Sequence, residues 1–400
     1  MNDLFKDASL SAVLAGCIAT VISYAGPLVI IFQAADSAQL SNAQLSSWIW
    51  AISIGSALLG GLLSLRYKVP VVIAWSIPGS ALLVSQLPQL GLNQAVGAYL
   101  VASLIIGVVG LSGAFDRIIA RLPGSIAAGL QAGILFSFGT ALFESLPAKP
   151  WLVLAMFATY VSMRRLLPRY AVMAVLLVGA LMTWLNGDFK GDALVLGLAT
   201  PTLITPEFSV EATLNLALPL VLVALTGQFM PGMAVLRNAG YQTPASPLIS
   251  ASALGSALLA PFGCHGLNLA AVTASLCTGR EAHESPRRRY IAALSGSLLY
   301  LILGIAGTTL VSLFAAFPKE LIAALAGLAL FGAISEALSR SSAQPAERDA
   351  GLFTFLVTAS GVSLLGLSAA FWGLLAGVIV HVAMQARRPS SVAALPGEKT

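Results

Sequence analysis

Two short stretches of the sequence bring helix-breaking residues together with residues that can bind an anion or carry a proton. The first runs Ser76-Ile77-Pro78-Gly79-Ser80, and the second runs Phe262-Gly263-Cys264-His265-Gly266 and reaches Asn268. Proline removes a backbone donor and glycine weakens a helix, so both stretches interrupt helical hydrogen bonding. Half-helices that begin at Gly79 and Gly266 would direct free N–H groups and positive dipole ends at one point, which suits an anion.

His265 is the titratable residue of the second stretch, and an unperturbed imidazole changes its charge between about pH 5 and 8. This predicts a proton-coupled step, with a neutral, hydrogen-bonded structural histidine as the alternative. Gln228 and Asn268 add neutral hydrogen-bonding groups nearby, and Gln131 is predicted to make a helix–helix contact.

Acidic residues offer no proton carrier inside the membrane, because all 16 Asp and Glu residues fall in predicted loops or at span ends. Glu336 and Arg340 are predicted to form an ordinary i,i+4 pair, exposed to solvent at a helix end.

The elements that position the two stretches are membrane helices, because 58% of the 400 residues are hydrophobic and only 9% are charged. Soluble globular domains carry roughly 25% charged residues, which excludes a soluble enzyme. The sequence shows no metal-type cluster, nucleophile–base pair or nucleotide-binding loop, so no enzyme activity and no cofactor are predicted. Cys17, Cys264 and Cys277 lie in apolar surroundings and are predicted to be small buried hydrophobic residues.

Charged residues divide the chain into apolar runs that can cross a hydrocarbon layer of ~30 Å. Seven spans are predicted in the runs 8–35, 37–65, 69–115 (two spans), 122–143, 150–163 and 170–187. Seven more are predicted in 212–236, 238–279 (two spans), 290–318, 321–335 and 350–385 (two spans). With the N-terminus inside, all 21 Lys and Arg residues except Lys149, Lys190 and Lys319 fall on the cytoplasmic side. This asymmetry predicts fourteen spans, cytoplasmic termini, and basic loops that contact anionic lipid rather than nucleic acid.

Short similar segments at matching positions indicate two related halves of seven spans each. Tyr24-Ala25-Gly26-Pro27 in span 1 resembles Gln228-Phe229-Met230-Pro231 in span 8, and Leu122-Pro123 in span 5 resembles Phe317-Pro318 in span 12. Because seven is odd, the second half enters the membrane from the opposite face, which predicts an inverted repeat. The two stretches then fall in the matched spans 3 and 10, each as a short extended segment followed by a half-helix. A cavity between them is predicted, with simple packing kinks as the alternative.

The chain resembles the benzoate/proton symporter family, bacterial inner-membrane proteins related to the uracil and xanthine permeases and the sulfate transporters. The resemblance covers about residues 8 to 386. It is carried by Ser76-Ile77-Pro78-Gly79-Ser80-Ala81, Gln228-Phe229-Met230-Pro231-Gly232-Met233-Ala234-Val235-Leu236-Arg237 and Pro261-Phe262-Gly263-Cys264-His265-Gly266-Leu267-Asn268-Leu269-Ala270.

The family implies an all-α, seven-plus-seven inverted repeat in which a core domain moves like an elevator against a gate domain. The core would comprise 8–118 and 212–316, which hold spans 1–4 and 8–11, and the gate would comprise 119–190 and 317–388, which hold spans 5–7 and 12–14. An external linker would occupy 191–211 and a cytoplasmic tail 389–400. Relatives suggest a homodimer through the gate domain.

The implied ligand is benzoate or a similar small aromatic carboxylate, imported with protons and bound between the two breaks. Trp75, Phe229 and Phe262 would contact the ring. Ser76, Ser80, Asn268 and the backbone N–H groups after Pro78 and Gly263 would hold the carboxylate. The expected binding residues are Tyr24, Ser76, Ile77, Pro78, Gly79, Ser80, Gln228, Phe229, Phe262, Gly263, Cys264, His265, Gly266 and Asn268, with His265 as the proton-coupling residue.

Two other transport functions are the alternatives. Related nucleobase permeases use acidic residues in spans 8 and 10, whereas this chain has Gln228 and His265 in the comparable regions, which argues against a nucleobase ligand. A passive anion channel could use the same helix ends, and it would show flux without accumulation.

Overall fold

The computed structural model describes residues 7–385, and the predicted tail at 389–400 lies outside them. The first half of the described chain is helical apart from one short strand. Its elements are α1 (Leu10–Ala25), α2 (Pro27–Ser37), α3 (Asn42–Tyr67), β1 (Ile73–Trp75), α4 (Ile77–Leu111), α5 (Phe115–Arg121), α6 (Gly124–Glu144), α7 (Pro150–Leu166) and α8 (Ala171–Leu185).

The second half repeats this plan of helices around one short strand. Its elements are α9 (Val210–Asn238), α10 (Ala245–Leu259), β2 (Leu267–Leu269), α11 (Val272–Thr278), α12 (Tyr290–Ile305), α13 (Gly307–Ala315), α14 (Lys319–Ser342), α15 (Arg348–Ala359) and α16 (Ala369–Gln385). Helix α9 contains two π-helical turns, at Thr213–Ala217 and Leu225–Phe229. Residues 194–209, which precede α9, are irregular.

Nine helical segments within residues 7–385 are long and apolar enough to cross a membrane. They are Leu10–Ser37, Asn42–Tyr67, Ile77–Leu111, Gly124–Glu144, Pro168–Leu185, Val210–Asn238, Ala245–Phe262, Pro286–Ile305 and Lys319–Ser342. The chain is therefore a multi-pass membrane protein. Other helices at predicted span positions are shorter, such as α7 with 17 residues and α15 with 12. The count of fourteen spans stays a prediction.

Helix α4 shows why a count of helices differs from a count of spans. A straight helix of its 35 residues would be about 52 Å long, well beyond the ~30 Å hydrocarbon layer. Gly91 has a positive φ of 74° and a non-helical backbone, so it divides α4 into two segments. Pro88, one turn earlier, cannot donate a helical hydrogen bond. The run 69–115 therefore contains β1 and both segments of α4.

The two predicted breaks are confirmed as strand–helix pairs that meet each other. Strands β1 and β2 pair antiparallel, with Ile73 opposite Leu269 and Trp75 opposite Leu267. The pairing provides hydrogen bonds for backbone N–H and C=O groups that are not part of a helix. Hydrocarbon cannot hydrogen-bond these groups, so the protein must do so itself. An antiparallel pair built from matched spans is the arrangement that an inverted repeat predicts.

The predicted starting points of the half-helices are wrong. Helix α4 begins at Ile77 rather than Gly79, because Ser76 caps it and Pro78 fits the first turn. Helix α11 begins at Val272 rather than Gly266, because residues 267–269 first pair with β1. Gly266 itself has a φ of +144°, which favours glycine and places it outside any helix.

The described helices pack in two groups. In the group that contains both strands, α3 packs on α12, α4 on α10, α2 and α9, and α1 on α12. We call this the break group. In the other group α6 packs on α14 and α15, α15 on α16, and α7 on α8, and we call it the support group.

The α1–α12 contact within the break group depends on glycine. A Cβ atom at Gly16 would clash with the carbonyl oxygen of Ala292, and Gly296 lies opposite on α12. Small residues let membrane helices approach closely, and van der Waals packing then stabilises the pair.

We predict that Gly16→Ala lowers the free energy of unfolding by about 1–3 kcal/mol, since the new methyl group separates α1 from α12. Thermal unfolding of the purified protein in detergent measures this as a lower midpoint. Gly107→Ala in α4 is the matched control, because its new Cβ would meet the nearest atom at an ordinary 3.6 Å. Equal midpoints for the two variants would contradict a close α1–α12 contact.

Candidate functional site

At the first break, the side chain and the carbonyl group of Ser76 accept hydrogen bonds from the residues that follow. Its Oγ accepts a hydrogen bond from the Gly79 N–H at 3.0 Å, and its carbonyl oxygen accepts from the Ser80 N–H at 2.8 Å. The Ser80 hydroxyl also donates to that carbonyl, at 2.9 Å. The N–H groups that follow Pro78 are therefore already bonded within the break.

The second break turns the chain before it enters β2. Residues Ala260–Phe262 form a 3₁₀ turn, and Gly263 follows in a left-handed conformation with a φ of +99°. A Cβ at Gly263 would lie 3.1 Å from the Cβ of Trp48, so the site favours glycine in both backbone conformation and space. The Gly263 N–H donates to Ala260 and the Cys264 N–H to Leu259. These N–H groups, like those at the first break, are bonded to the protein itself.

His265 joins the two breaks to α3. Its Nδ1 accepts a hydrogen bond from the Trp48 indole N–H at 3.1 Å, and its Nε2 lies 2.9 Å from the Ser80 hydroxyl and 3.3 Å from the Ser76 carbonyl. Because the Ser80 hydroxyl donates to Ser76, its oxygen accepts from Nε2. This pattern fits a neutral imidazole with its proton on Nε2. His265 is buried, with 4% of its surface exposed.

The expected aromatic residues lie in separate places. Tyr24 and Trp75 form one buried cluster with Tyr300, with the Tyr24 ring centroid 5.5 Å from each of the other two. Phe262 instead packs edge-on against Trp50, with ring centroids 5.6 Å apart. The structure therefore does not assemble the expected ring contacts into one pocket.

Tyr24 is fixed in its cluster by a hydrogen bond between its hydroxyl and the Ser53 hydroxyl, 2.5 Å apart. Phe229 is fully buried in the second π-helical turn of α9, and the half-buried Gln228 precedes it.

Both breaks line one small cavity. Ser76 comes from the first break, and His265, Gly266 and Asn268 come from the second. Helices α4, α9 and α10 complete the lining with Ala102, Ser103, Ile106, Leu220, Ala224, Ala253 and Ser256, together with Leu267 of β2. The volume of about 20 Å³ is room for about one water molecule, so this conformation does not accommodate benzoate there.

A polar contact that the sequence did not reveal lies on the support group. Arg340 of α14 donates from Nη2 to Oε1 of Gln131 in α6, at 3.0 Å. Arg340 also lies 3.7 Å from Glu336, so the predicted i,i+4 pair forms, but Arg340 is not a purely solvated residue. The polar residue Gln131 in an apolar span indicated a helix–helix contact, but nothing in the sequence identified Arg340 as its partner.

Residues 7–385 contain no group of three or more His, Cys, Asp or Glu side chains placed to hold a metal ion. Cys264 and Cys277 are buried free thiols, as predicted, whereas Cys17 is only partly buried.

The sequence pattern of the family described as "BenE: Benzoate membrane transport protein" matches residues 6–383. The chain is 48% identical over 381 residues to a "Benzoate membrane transport protein" of Acinetobacter baylyi, covering 95% of this chain and 97% of that protein. It is 40% identical over 371 residues to "Inner membrane protein YdcO" of Escherichia coli, covering 93% of this chain and 95% of that protein.

Solved structures share the fold at low sequence identity. Murine Slc26a9, an anion transporter solved in an inward-facing state, superposes with a TM-score of 0.68, covering 95% of this chain and 69% of that one. The transmembrane domain of the cyanobacterial bicarbonate transporter BicA gives a TM-score of 0.58, covering 94% and 97%. Both are 16% identical to this chain, so they show the fold alone.

We predict that His265 holds a proton on Nε2 and none on Nδ1 in the resting protein. ¹⁵N NMR of histidine-labelled protein can test this, since the chain has only three histidines. His265→Asn identifies the resonance, and Trp48→Phe should shift the Nδ1 signal because it removes the indole donor. His283→Asn, in a loop, is the matched control. A proton found on Nδ1 would contradict the hydrogen-bond pattern.

Proposed function

This chain belongs to the benzoate membrane transport protein family, and we propose that it is a secondary active transporter that imports benzoate or a similar aromatic carboxylate with protons. The family is one of membrane transporters rather than enzymes. The observation that supports the proposal best is the pair of strand–helix breaks, matched in the two halves and joined through β1 and β2. Paired breaks of this kind mark the transport site in transporters with inverted repeats.

Benzoate binding, in this proposal, takes place where the break group faces the support group. Of the expected residues, Ser76, His265, Gly266 and Asn268 already lie together and are proposed to contribute the wall on the break-group side. The small cavity that both breaks line has no support-group residue in its wall and is too small for benzoate, so the proposed binding place is the boundary with the support group.

Proton coupling is proposed for His265 and rests on its hydrogen bonds. A proton that binds Nδ1 displaces the Trp48 indole N–H, because the same lone pair accepts both. Charging the imidazole therefore changes how α3 contacts the second break. One proton carried with one benzoate anion makes the cycle electroneutral, so that a difference of one pH unit supplies about 1.4 kcal/mol.

Movement of the break group against the support group is the proposed elevator step, and polar contacts join the groups at both membrane faces. On the face predicted to be external, Asp36 pairs with Lys319 at 3.0 Å. There the buried Asn215 amide also donates to the Gly366 carbonyl and accepts from the Ser368 N–H, both at 2.8 Å. Arg169 and Glu281 pair on the opposite face. These contacts must break and form again as the groups slide.

The membrane location and orientation of the protein are part of the proposal. We propose a bacterial inner membrane with both termini cytoplasmic, supported by the basic loops and by the relative named as an inner membrane protein. Anionic lipid would contact the basic loops. A homodimer through the support group is proposed on the family resemblance.

We predict that proteoliposomes accumulate labelled benzoate when an inward proton gradient is imposed, by up to tenfold per pH unit for one proton per benzoate. An added membrane potential should leave the accumulation unchanged. His265→Ala should abolish the coupling, whereas the loop variant His283→Ala should behave as the unaltered protein does. Equal uptake without any gradient would indicate a passive pore, and full coupling in His265→Ala would indicate another proton carrier. Uptake that nucleobases block and benzoate does not would support a nucleobase permease.

We predict that a covalent link between the groups stops transport. Cysteines at Asp36 and Lys319, joined by a short reducible thiol cross-linker, should abolish uptake until reductant is added. The control pair uses Lys149 and Asp188, which lie 2.5 Å apart on the same face but within the support group, so cross-linking there should not affect uptake. Full uptake by the cross-linked Asp36–Lys319 pair would contradict the elevator step.

A further inference from the structure

The Arg340 side chain is partly buried, with 32% of its surface exposed, and part of its hydrogen-bonding capacity is unused. Nη2 donates to Gln131, which is itself only 9% exposed. Nε is buried and has no hydrogen-bond partner among the described residues, because the Glu336 carboxylate lies 3.7 Å away. A buried charged donor without a partner costs free energy, and such groups call for an explanation.

Arg340 lies on the face of α14 that meets the break group. Ala329 precedes Arg340 by eleven residues, about three helical turns, and therefore lies on the same face of α14. Ala329 packs closely on Gly26, because a Cβ atom added at Gly26 would lie 2.7 Å from the Cβ of Ala329. Gln131 approaches the same group, since its Oε1 would lie 3.0 Å from a Cβ at Gly227, the neighbour of Gln228. The Arg340–Gln131 pair thus stands at the boundary between the two groups.

Gln131 lies well inside its helix, whereas Arg340 lies near the end of its own. Gln131 lies seven residues after the start of α6 at Gly124, which is roughly 10 Å along the helix. Arg340, two residues before the end of α14, reaches it from the face predicted to be cytoplasmic. Arg340 belongs to the apolar segment Lys319–Ser342, and a charged side chain in such a segment is a functional hypothesis by default.

The chemistry of the breaks leaves a carboxylate without a charged partner. The N–H groups of Gly79, Ser80, Gly263 and Cys264 all donate to the protein's own oxygens. His265 uses both ring nitrogens within the break group. A benzoate anion that enters a region of low dielectric constant needs compensation, and a guanidinium matches the two carboxylate oxygens geometrically.

We propose that Arg340, oriented by Gln131, binds the carboxylate of the aromatic acid at the cytoplasmic end of the path between the two groups. This inference rests on the proposed function and names the residue that makes it selective for anions. Glu336 is 65% exposed and contributes only weak pairing, so an arriving carboxylate can replace it at Nε.

Uptake by proteoliposomes containing Arg340→Gln, Arg340→Lys and Arg348→Gln tests the proposal. Hydrogen bonds to charged groups contribute about 1.5–3 kcal/mol, so Arg340→Gln should raise the KM for benzoate roughly ten- to hundredfold. Arg340→Lys should restore part of the loss. Arg348, an exposed residue at the start of α15, is the matched control, and its variant should keep KM within about twofold.

Inhibition of benzoate uptake by neutral benzamide measures how strongly the site distinguishes a charged ligand from a neutral one. A purely structural role of Arg340 would leave that ratio of affinities unchanged. Arg340→Gln should bring the apparent affinities of benzoate and benzamide closer together, because the variant no longer distinguishes the charge. Gln131→Glu places a permanent carboxylate on Arg340 and should also raise the KM for benzoate, with Arg340 still present. Elution from a gel-filtration column as a single peak shows that each variant is folded.

The outcomes separate this inference from the proposed function. An unchanged KM and unchanged benzamide competition in folded Arg340→Gln, with benzoate transport by the unaltered protein, would overturn the role of Arg340 alone. A loss of kcat at constant KM would overturn it as well, since binding would be intact. If the unaltered protein does not transport benzoate at all, the proposed function fails.

Discussion

Backbone hydrogen bonding at the two interrupted helices is the constraint on which the rest of this structure depends. Where the chain leaves the helical conformation before α4 and before α11, hydrocarbon cannot hydrogen-bond the freed N–H and C=O groups. The chain solves this by pairing β1 with β2, by using Ser76 to cap α4, and by placing Gly263 and Gly266 where the backbone needs a positive φ. His265 completes the arrangement by joining both breaks to Trp48. The breaks are thus a rigid unit rather than two loose kinks.

That solution shapes the chemistry available for a ligand. Backbone donors that serve the protein itself are not free to hold a carboxylate, so recognition of its charge requires a side chain from elsewhere in the protein. In our proposal Arg340, oriented by Gln131 and with Nε not hydrogen-bonded, supplies that side chain from the support group. Selectivity and movement then become linked, because the ligand contacts one group through the breaks and the other through a guanidinium.

The sequence relatives and the solved structures support different statements about this protein. Relatives that are 48% and 40% identical over nearly the whole chain establish the family. Structures of an anion transporter and a bicarbonate transporter share the fold at 16% identity, a level at which side chains in the breaks need not correspond. A shared fold supplies the paired breaks and the two helix groups, whereas the substrate is set by residues placed on them.

The sequence by itself determined the membrane class, the positions of both breaks and their equivalence, because hydrophobic runs, Pro78, Pro261 and the nearby glycines act locally. It misplaced the starts of α4 and α11, since a cap by Ser76 and a strand pairing at residues 267–269 override the local preference of glycine. It also treated Arg340 as an exposed residue. Only the tertiary structure decided that Arg340 meets Gln131, 209 positions away, and that His265 meets Trp48, 217 positions away. Contacts at such separations depend on how helices pack, and one sequence carries no local signal for them.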